Sequence, residues 1–421
     1  MNQWSVDSMK TTVVNNIFAS LQFPYFRDFA IGQAIGLVGM WMQRTALVWL
    51  VYVLTDSPFM VGLISICQFL PMLLFTMVAG VIVDRIPSKR NLLLFTNCFF
   101  MLQGLIITIL AFTKTITVTH IFILSAFFGI LQTFEMPARQ SFFPELVDRD
   151  HIMNAVSLNS SIFNLAKIIG PGLSGLVMAA GGTEFCFLVN TLSYLFVLIL
   201  FYRIKTAPKP VQKHEKNVLQ DMLDGFRYIY SHNVLKVNVI IMTIICIFAF
   251  NNDVCIPIYA REVLQMDSGA YTTLMSTTGL GSFLGACYMS GRAANGINSR
   301  ILKTGIITLT GTQILLFFNT NYILAILGTM VVGFSIIVYL NMANSIFQLH
   351  TEEAYLGRVM SVYSFMDCGL APVGSFYSGT LMETAGGVYG FLGCGLGALL
   401  ALGLAYVVFR RSFQSWSPEL D

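Results

Sequence analysis

With 421 residues, 56% of them hydrophobic and only 11% charged, the chain lies far outside the balance of a soluble globular protein and reads as an all-α polytopic membrane protein. The net charge of +3 says little about partners: the lipid bilayer is expected among them and nucleic acid is not. Eight cysteines (Cys67, Cys98, Cys186, Cys246, Cys255, Cys287, Cys368 and Cys394) are scattered singly without metal-ligand spacing, and the five histidines fall near span ends or in loops. No metal site and no cofactor are expected.

Residues 1–24 form a polar leader without the apolar core of a cleavable signal peptide. Apolar blocks of roughly 20 residues, long enough to cross a bilayer, then begin near Phe26, Met60, Asn91, Thr119, Met153 and Phe185. A second set begins near Leu235, Gly269, Ile301, Tyr322, Val359 and Val388. They predict twelve transmembrane helices in two six-helix bundles, 25–203 and 234–410, joined by a linker at 204–233 and followed by a tail at 411–421. If the spans alternate, Arg85, Lys89, Arg90, Arg149, Arg203, Arg292, Arg300, Lys303, Arg358 and Arg410 share one side, with Lys114 and Arg261 on the other. Positive charge collects in cytoplasmic loops, so both termini are expected in the cytoplasm.

The first span carries Gly32, Gly36 and Gly39, then Trp41-Met42-Gln43-Arg44, and closes with a turn at Thr55-Asp56-Ser57-Pro58. The second runs into Gly80-Val81-Ile82-Val83-Asp84-Arg85-Ile86-Pro87-Ser88-Lys89-Arg90, and the third starts at once, which makes a membrane hairpin. Gly80 lies on the helical face of Asp84, where its smallness lets a neighbouring helix approach. An aspartate at a helix end needs a partner, either the adjacent arginines or another helix N-terminus.

The pattern of glycine, three residues, Asp-Arg and a basic cluster resembles the loop between the second and third helices of the major facilitator superfamily of transporters. There the loop latches the two halves of the molecule, so the resemblance implies a cytoplasmic gate of Gly80, Asp84, Arg85, Lys89 and Arg90. Pro87 and Ser88 depart from the usual pattern, while Lys89 and Arg90 keep the charge. Read without the family, the same loop is an ordinary positive-inside connection. Gly39 to Arg44, Met136-Pro137-Ala138-Arg139-Gln140, Phe143 to Val147 and Gly357-Arg358-Val359-Met360-Ser361 are similar to the branch that includes the enterobactin exporter and the macrolide efflux proteins.

A repeat points to the same architecture independently. Gly129 leads through two spans to Pro171 and Gly181-Gly182; Gly333 leads through two spans to Pro372 and Gly386-Gly387. A duplicated six-span unit accounts for both, with substrate bound between the halves. In the linker, Val218, Met222, Phe226 and Ile229 recur at helical spacing, which predicts an amphipathic surface helix.

Ionisable side chains deep in a span are costly in lipid and mark sites. They are Arg44, Glu135, Lys167, Asp253 and Asp367, the last nearer its span's cytoplasmic end and read as a gate or structural group. The superfamily lines its cavity with the first, fourth, seventh and tenth spans, so the resemblance implies that Arg44, Glu135 and Asp253 face inward. Glu135 and Arg139 are one helical turn apart. Drying favours a neutral carboxyl and a nearby cation favours the charged one. Glu135 is therefore read as the main proton-coupling group, with Arg44, Arg139 or Lys167 as alternating partners, or else as half of a permanent structural ion pair. Asp253, after Asn251 and Asn252, reads as a second proton site, a substrate contact or a packing group, and Asn341 is the tenth-span residue placed nearest the cavity. Ala166, Gly170, Pro171, Ser174 and Gly175 resemble the small-residue and proline signature of the fifth span in antiporters, which implies export; tight helix packing is the plain alternative.

A phosphate-binding glycine loop with its lysine is missing, which argues against an ATP-driven pump, and no enzyme chemistry stands out. The expectation is a monomeric, proton-coupled exporter of a bulky amphipathic small molecule, a siderophore or similar metabolite, in the bacterial inner membrane. A macrolide or multidrug pump, a lipid or lysolipid flippase, an importer, and a sensor or scaffold that transports nothing remain the alternatives.

Overall fold

In the computed structural model, which describes residues 19–205, 218–292 and 296–418, helix follows helix and no strand occurs among the described residues. The first half contains α1 (Pro24–Thr55), α2 (Pro58–Asp84), α3 (Lys89–Phe112), α4 (Val118–Phe142), α5 (Ile152–Gly181) and α6 (Thr183–Arg203). The connecting α7 (Val218–Ser231) is followed by α8 (Asn233–Phe248), α9 (Asn252–Ile258), α10 (Ser268–Arg292), α11 (Ser299–Phe317) and α12 (Tyr322–Leu349). Last come α13 (Glu353–Gly369), α14 (Ala371–Ala385), α15 (Gly390–Val408) and the short α16 (Arg410–Gln414). Among the described residues nine helical segments are long and apolar enough to cross a membrane, and α10, α11 and the α13–α14 pair pack among them.

Helix starts are set by turn chemistry. Ser57 accepts a hydrogen bond from the Met60 amide just ahead of Pro58, Ser88 accepts from Asn91, and Thr117 forms a capping box with His120. These caps satisfy amides that the first helical turn leaves unpaired, and the spans start within a turn of where their apolar blocks begin. The eleventh span is the exception, starting at Glu353 instead of near Val359.

In the first half α1 packs on α5 and α6, α2 on α4, and α3 on α4 and α6; in the second, α10 packs on α12, and α11 on α12 and α15. The duplication is visible at the crossings. A Cβ on Gly129 would run into the Gln68 carbonyl of α2, and one on Gly333 would run into the Thr278 carbonyl of α10, so the same span pair in each half depends on backbone-to-backbone approach. Each repeat also ends in a glycine with positive φ, Gly182 at 88° and Gly386 at 110°, conformations that L side chains rarely adopt.

The halves meet along α5 against α10 and α2 against α14. Among the described residues the tightest contacts of these seams lie away from the basic loops: Gly175 seats on Thr272, Gly172 on Ser276, Gly62 on the Ser375 carbonyl and Gly379 on that of Pro58. Toward the basic side α5 turns exposed polar residues outward, and Ser157, Ser161 and Asn164 bond back to their own helix. The molecule is closed on one side and splayed on the other.

Three breaks go beyond the expected continuous spans. The seventh parts between α8 and α9, where Gln313 Nε2 donates to the Ala249 carbonyl at 2.8 Å and Asn251 Nδ2 to that of Ile247 at 2.9 Å, so the freed carbonyls are satisfied without water. The same span ends in a π turn, Tyr259–Val263. The eleventh breaks at Leu370, with Pro372 opening α14. In the linker, α7 buries Tyr228 and Ile229 and stacks Tyr228 on Tyr355 of α13, ring centroids 4.4 Å apart. Phe226 stays 38% exposed. Lys209, Lys213 and Lys216, and the side chains of Val218 and Met222, lie outside the described residues.

Candidate functional site

A cavity of about 520 Å³ lies between the halves. Six ionisable residues line it: Arg44, Glu135, Arg139, Lys167, Asp253 and Asp367. Between them stand amides such as Gln33, Gln132, Asn164 and Asn252, and the rings of Trp41, Phe69 and Phe163. Asp367 thus borders the cavity, although the sequence suggests a place nearer the span end.

The charges are sorted into pairs. Arg139 Nε lies 3.3 Å from Glu135 Oε1, one turn along α4, and Glu135 is only 8% exposed. Arg44 of α1 does not reach Glu135; its guanidinium forms a hydrogen-bonded ion pair with Asp253 of α9, which ties the two halves together. The Lys167 Nζ sits 5.4 Å from the centre of the Trp41 ring and 5.1 Å from that of Phe163. The Arg44 guanidinium lies 5.1 Å from the same Trp41 ring and 4.9 Å from Phe69. Of the three expected partners for Glu135, this conformation uses Arg139.

A buried amide chain holds the first-half wall. Asn190 Nδ2 donates to Gln43 Oε1 at 2.6 Å, and Gln43 Nε2 to Gln103 Oε1 at 3.3 Å, joining α6, α1 and α3. The sequence signal was there, three amides inside apolar spans, but their mutual register was not.

The closed side carries a cluster that sequence reasoning missed. Tyr52 Oη donates to Glu262 Oε1 at 2.7 Å, and Arg261 pairs with Asp56 at 3.4 Å while lying 5.1 Å from the Tyr52 ring centre. Ser57 Oγ and the Phe59 amide both donate to Glu383 Oε2, at 2.7 and 3.2 Å. Every one of these contacts joins α1 or α2 to the second half. Arg261 had stood out only as a charge on the wrong side of the membrane.

Residues 15–417 match the family model described as transmembrane secretion effector. The chain belongs to this branch of the major facilitator superfamily. Among curated proteins it is 23% identical to the staphyloferrin A transporter of Staphylococcus aureus, over 89% of this chain and 94% of the relative. It is 24% identical to the enterobactin exporter EntS of Escherichia coli, over 94% and 95%, and 20% identical to macrolide efflux protein A of Streptococcus pyogenes, over 86% and 90%. Among solved structures the nucleoside transporter NupG superposes with a TM-score of 0.75 at 11% identity, covering 93% of this chain and all (100%) of that one, a likeness of fold. The chain is therefore a multi-pass membrane transporter of the major facilitator fold.

In this family member the loop expected to be the gate does not bridge the halves among the described residues. Lys89 Nζ caps the end of α2, donating to the Val83 carbonyl and, at 2.9 Å, to that of Ile86. Arg90 donates to the Tyr202 carbonyl at 2.7 Å, and Arg85 is exposed. A Cβ on Gly80 would meet open space, so the close helix approach expected at this glycine is not made among the described residues. The Asp84 side chain lies outside the described residues. Asn341 also departs from expectation: it borders a separate pocket of about 280 Å³ between α10, α11 and α12, and its amide donates to the Ile337 carbonyl. In the fifth span Gly170 lets the α1 backbone in beside Trp41, Ala166 and Ser174 are buried, and Gly175 receives Thr272 of α10. Pro171 lies inside the helix. The small residues thus pack α5 against both α1 and the opposite half.

Proposed function

We propose that the chain exports a bulky amphipathic small molecule of the siderophore type from the bacterial cytoplasm, in exchange for protons, by alternating access. The basic loops face the cytoplasm in this reading, both termini lie there, the membrane is the inner one, and the conformation described is the inward-open one. The observation that carries the proposal is the Glu135–Arg139 pair, sunk in the wall of a cavity between the halves. Both residues stand on α4, so the pair opens by a swing of the Arg139 side chain as its surroundings change between conformations, which leaves the carboxylate without its cation and able to take up a proton. The siderophore class rests on the names of two relatives. The third relative's name makes a macrolide the rival substrate.

The experiment is export from proteoliposomes. Purified protein is reconstituted, and enterobactin, staphyloferrin A and erythromycin are each tested for movement driven by an imposed pH gradient. Glu135→Gln should abolish gradient-driven movement while leaving the protein folded and inserted. Movement of erythromycin alone would transfer the reading to drug efflux, and an unchanged pH response in the Gln variant would remove Glu135 from the coupling role.

A further inference from the structure

We infer that the cavity takes an uncharged ligand rich in hydrogen-bonding groups, held by side-chain amides of the first half, and that its internal charge balance turns away ligands of either sign. The inference rests on the transport reading above, since it names the class of molecule that this site takes, but it needs no proton coupling. Among the described residues three cations line the cavity, Arg44, Arg139 and Lys167, and so do three carboxylates, Glu135, Asp253 and Asp367. Arg139 holds Glu135 at 3.3 Å, Arg44 holds Asp253, and Lys167 acts on Asp367 through its charge. The lining charges therefore cancel. A charged ligand has to draw a partner out of one of these pairs, which leaves the opposite charge uncompensated in a partly dry cavity, and that is costly.

The groups left open to a ligand are neutral ones. The side-chain amides of Gln33 on α1 and Gln68 on α2 line the cavity, have no hydrogen-bond partner among the described residues, and are not sealed off by the surrounding protein. Gln132 on α4 gives its Nε2 to the Met40 sulfur at 3.2 Å, and Asn164 on α5 gives its Nδ2 to the Ser160 carbonyl at 2.9 Å, so the amide oxygen of each is available. One amide thus comes from each of α1, α2, α4 and α5, a set that offers both donors and acceptors. A ligand carbonyl or hydroxyl exchanges water for such a partner at small cost, whereas a carboxylate or an ammonium gives up far more hydration than an amide returns. Phe128 of α4 and Phe250 of the second half line the same cavity and supply apolar surface for the body that carries those groups. A zwitterion is also neutral as a whole, but each of its ends has to enter an occupied pair. The ligand class is thus an uncharged amphipathic molecule bearing several carbonyl or hydroxyl groups.

Four probes share a naphthyl body and differ in charge: uncharged 2-naphthamide, 2-naphthoate, 2-naphthylmethylammonium and the zwitterion 3-(2-naphthyl)alanine. Titration calorimetry on the purified full chain in detergent, against a detergent blank, measures binding without any gradient. The naphthamide should bind best, with each of the other three weaker by about tenfold or more. Gln33→Leu and Gln68→Leu should each weaken the naphthamide several-fold, the loss of one neutral hydrogen bond. Unbalancing the cavity should move the preference between the charged probes in opposite directions, which general damage to the fold does not do. Lys167→Gln leaves a carboxylate in excess and should favour the ammonium over the naphthoate; Asp367→Asn leaves a cation in excess and should favour the naphthoate over the ammonium. The double variant should return the preference to the naphthamide. A charged or zwitterionic probe that binds best to the unaltered chain, a preference that the two single variants leave unmoved, or no saturable naphthamide binding would each overturn the inference. The expected binding order together with no movement of any compound in proteoliposomes would refute the transport reading and leave the charge-balance inference standing.

Discussion

Replacing Tyr52 by Phe tests whether the cluster on the closed side is a latch. The Tyr52 hydroxyl donates to Glu262 at 2.7 Å and the tyrosine is 1% exposed, so the substitution leaves the ring packed and removes one hydrogen bond to a carboxylate. Glu262 is exposed, so the bond competes with water even in the closed state and contributes about 0.5–1.5 kcal/mol net. When the closed side opens the tyrosine hydroxyl reaches water as well, so that difference falls on the closed state. The open-to-closed ratio should rise roughly 2- to 13-fold. Spin labels at Thr115→Cys and Thr384→Cys, exposed positions on opposite halves of that face, on a background with the native cysteines removed, report the two populations as two distances. The longer distance should grow in Tyr52→Phe, and Glu262→Gln should act in the same direction. Combining the two should add little, because each removes the same contact. An unchanged distance distribution in Tyr52→Phe would show that the bond is incidental to closure.

The paired glycines make a second test. Gly129→Ala and Gly333→Ala should each lower stability by about 1–3 kcal/mol, since a Cβ at either position meets a carbonyl of the facing helix, whereas Gly403→Ala, with open space around it in α15, should be neutral or stabilising by about 0.5–1 kcal/mol; thermal midpoints in detergent decide. Gly175→Val should hold α5 off Thr272 of α10 and shift the spin-label distances toward the open form without large loss of folded protein, and a silent Gly175→Val would mean that the seam yields freely there.

The spans and their duplication were legible because both are written in local chemistry: blocks of apolar residues of bilayer length, with Gly129 and Gly333 at matching places. Arg44, Glu135 and Asp253 were legible for a related reason, an ionisable group in an apolar block being conspicuous wherever it points. Their pairing was not. Arg44 and Asp253 are 209 residues apart, and nothing in a local pattern says which of several cations a given carboxylate meets. Asn341 was misjudged because the tenth span is apolar on nearly every face, which leaves periodicity without a phase from which to read direction. Tyr52, Glu262 and Glu383 escaped attention because polar groups at span ends are ordinary at a membrane surface. The loop expected to be a gate resembles one that latches two halves, whereas here a Cβ on Gly80, at the basic end of α2, would meet open space.

Asp253 and the latch residues Arg261 and Glu262 lie on one short piece of chain, α9 and the π turn that follows it, parted from α8 at Ala249–Asn251. A helix broken on one side and loosened by a π turn on the other can tilt as a unit, and its freed carbonyls are already provided for by Gln313 and Asn251. The central ion pair and the outer latch therefore bear on the same lever. While Arg44 holds Asp253, the piece is pinned to α1 at its inner end and, through Tyr52 and Asp56, at its outer end. Any event that takes Arg44 away from Asp253 removes the inner pin and leaves the latch as the remaining hold on that span. Occupancy of the cavity would thus bear on the far face through one shared element, with no longer chain of residues between the two contacts.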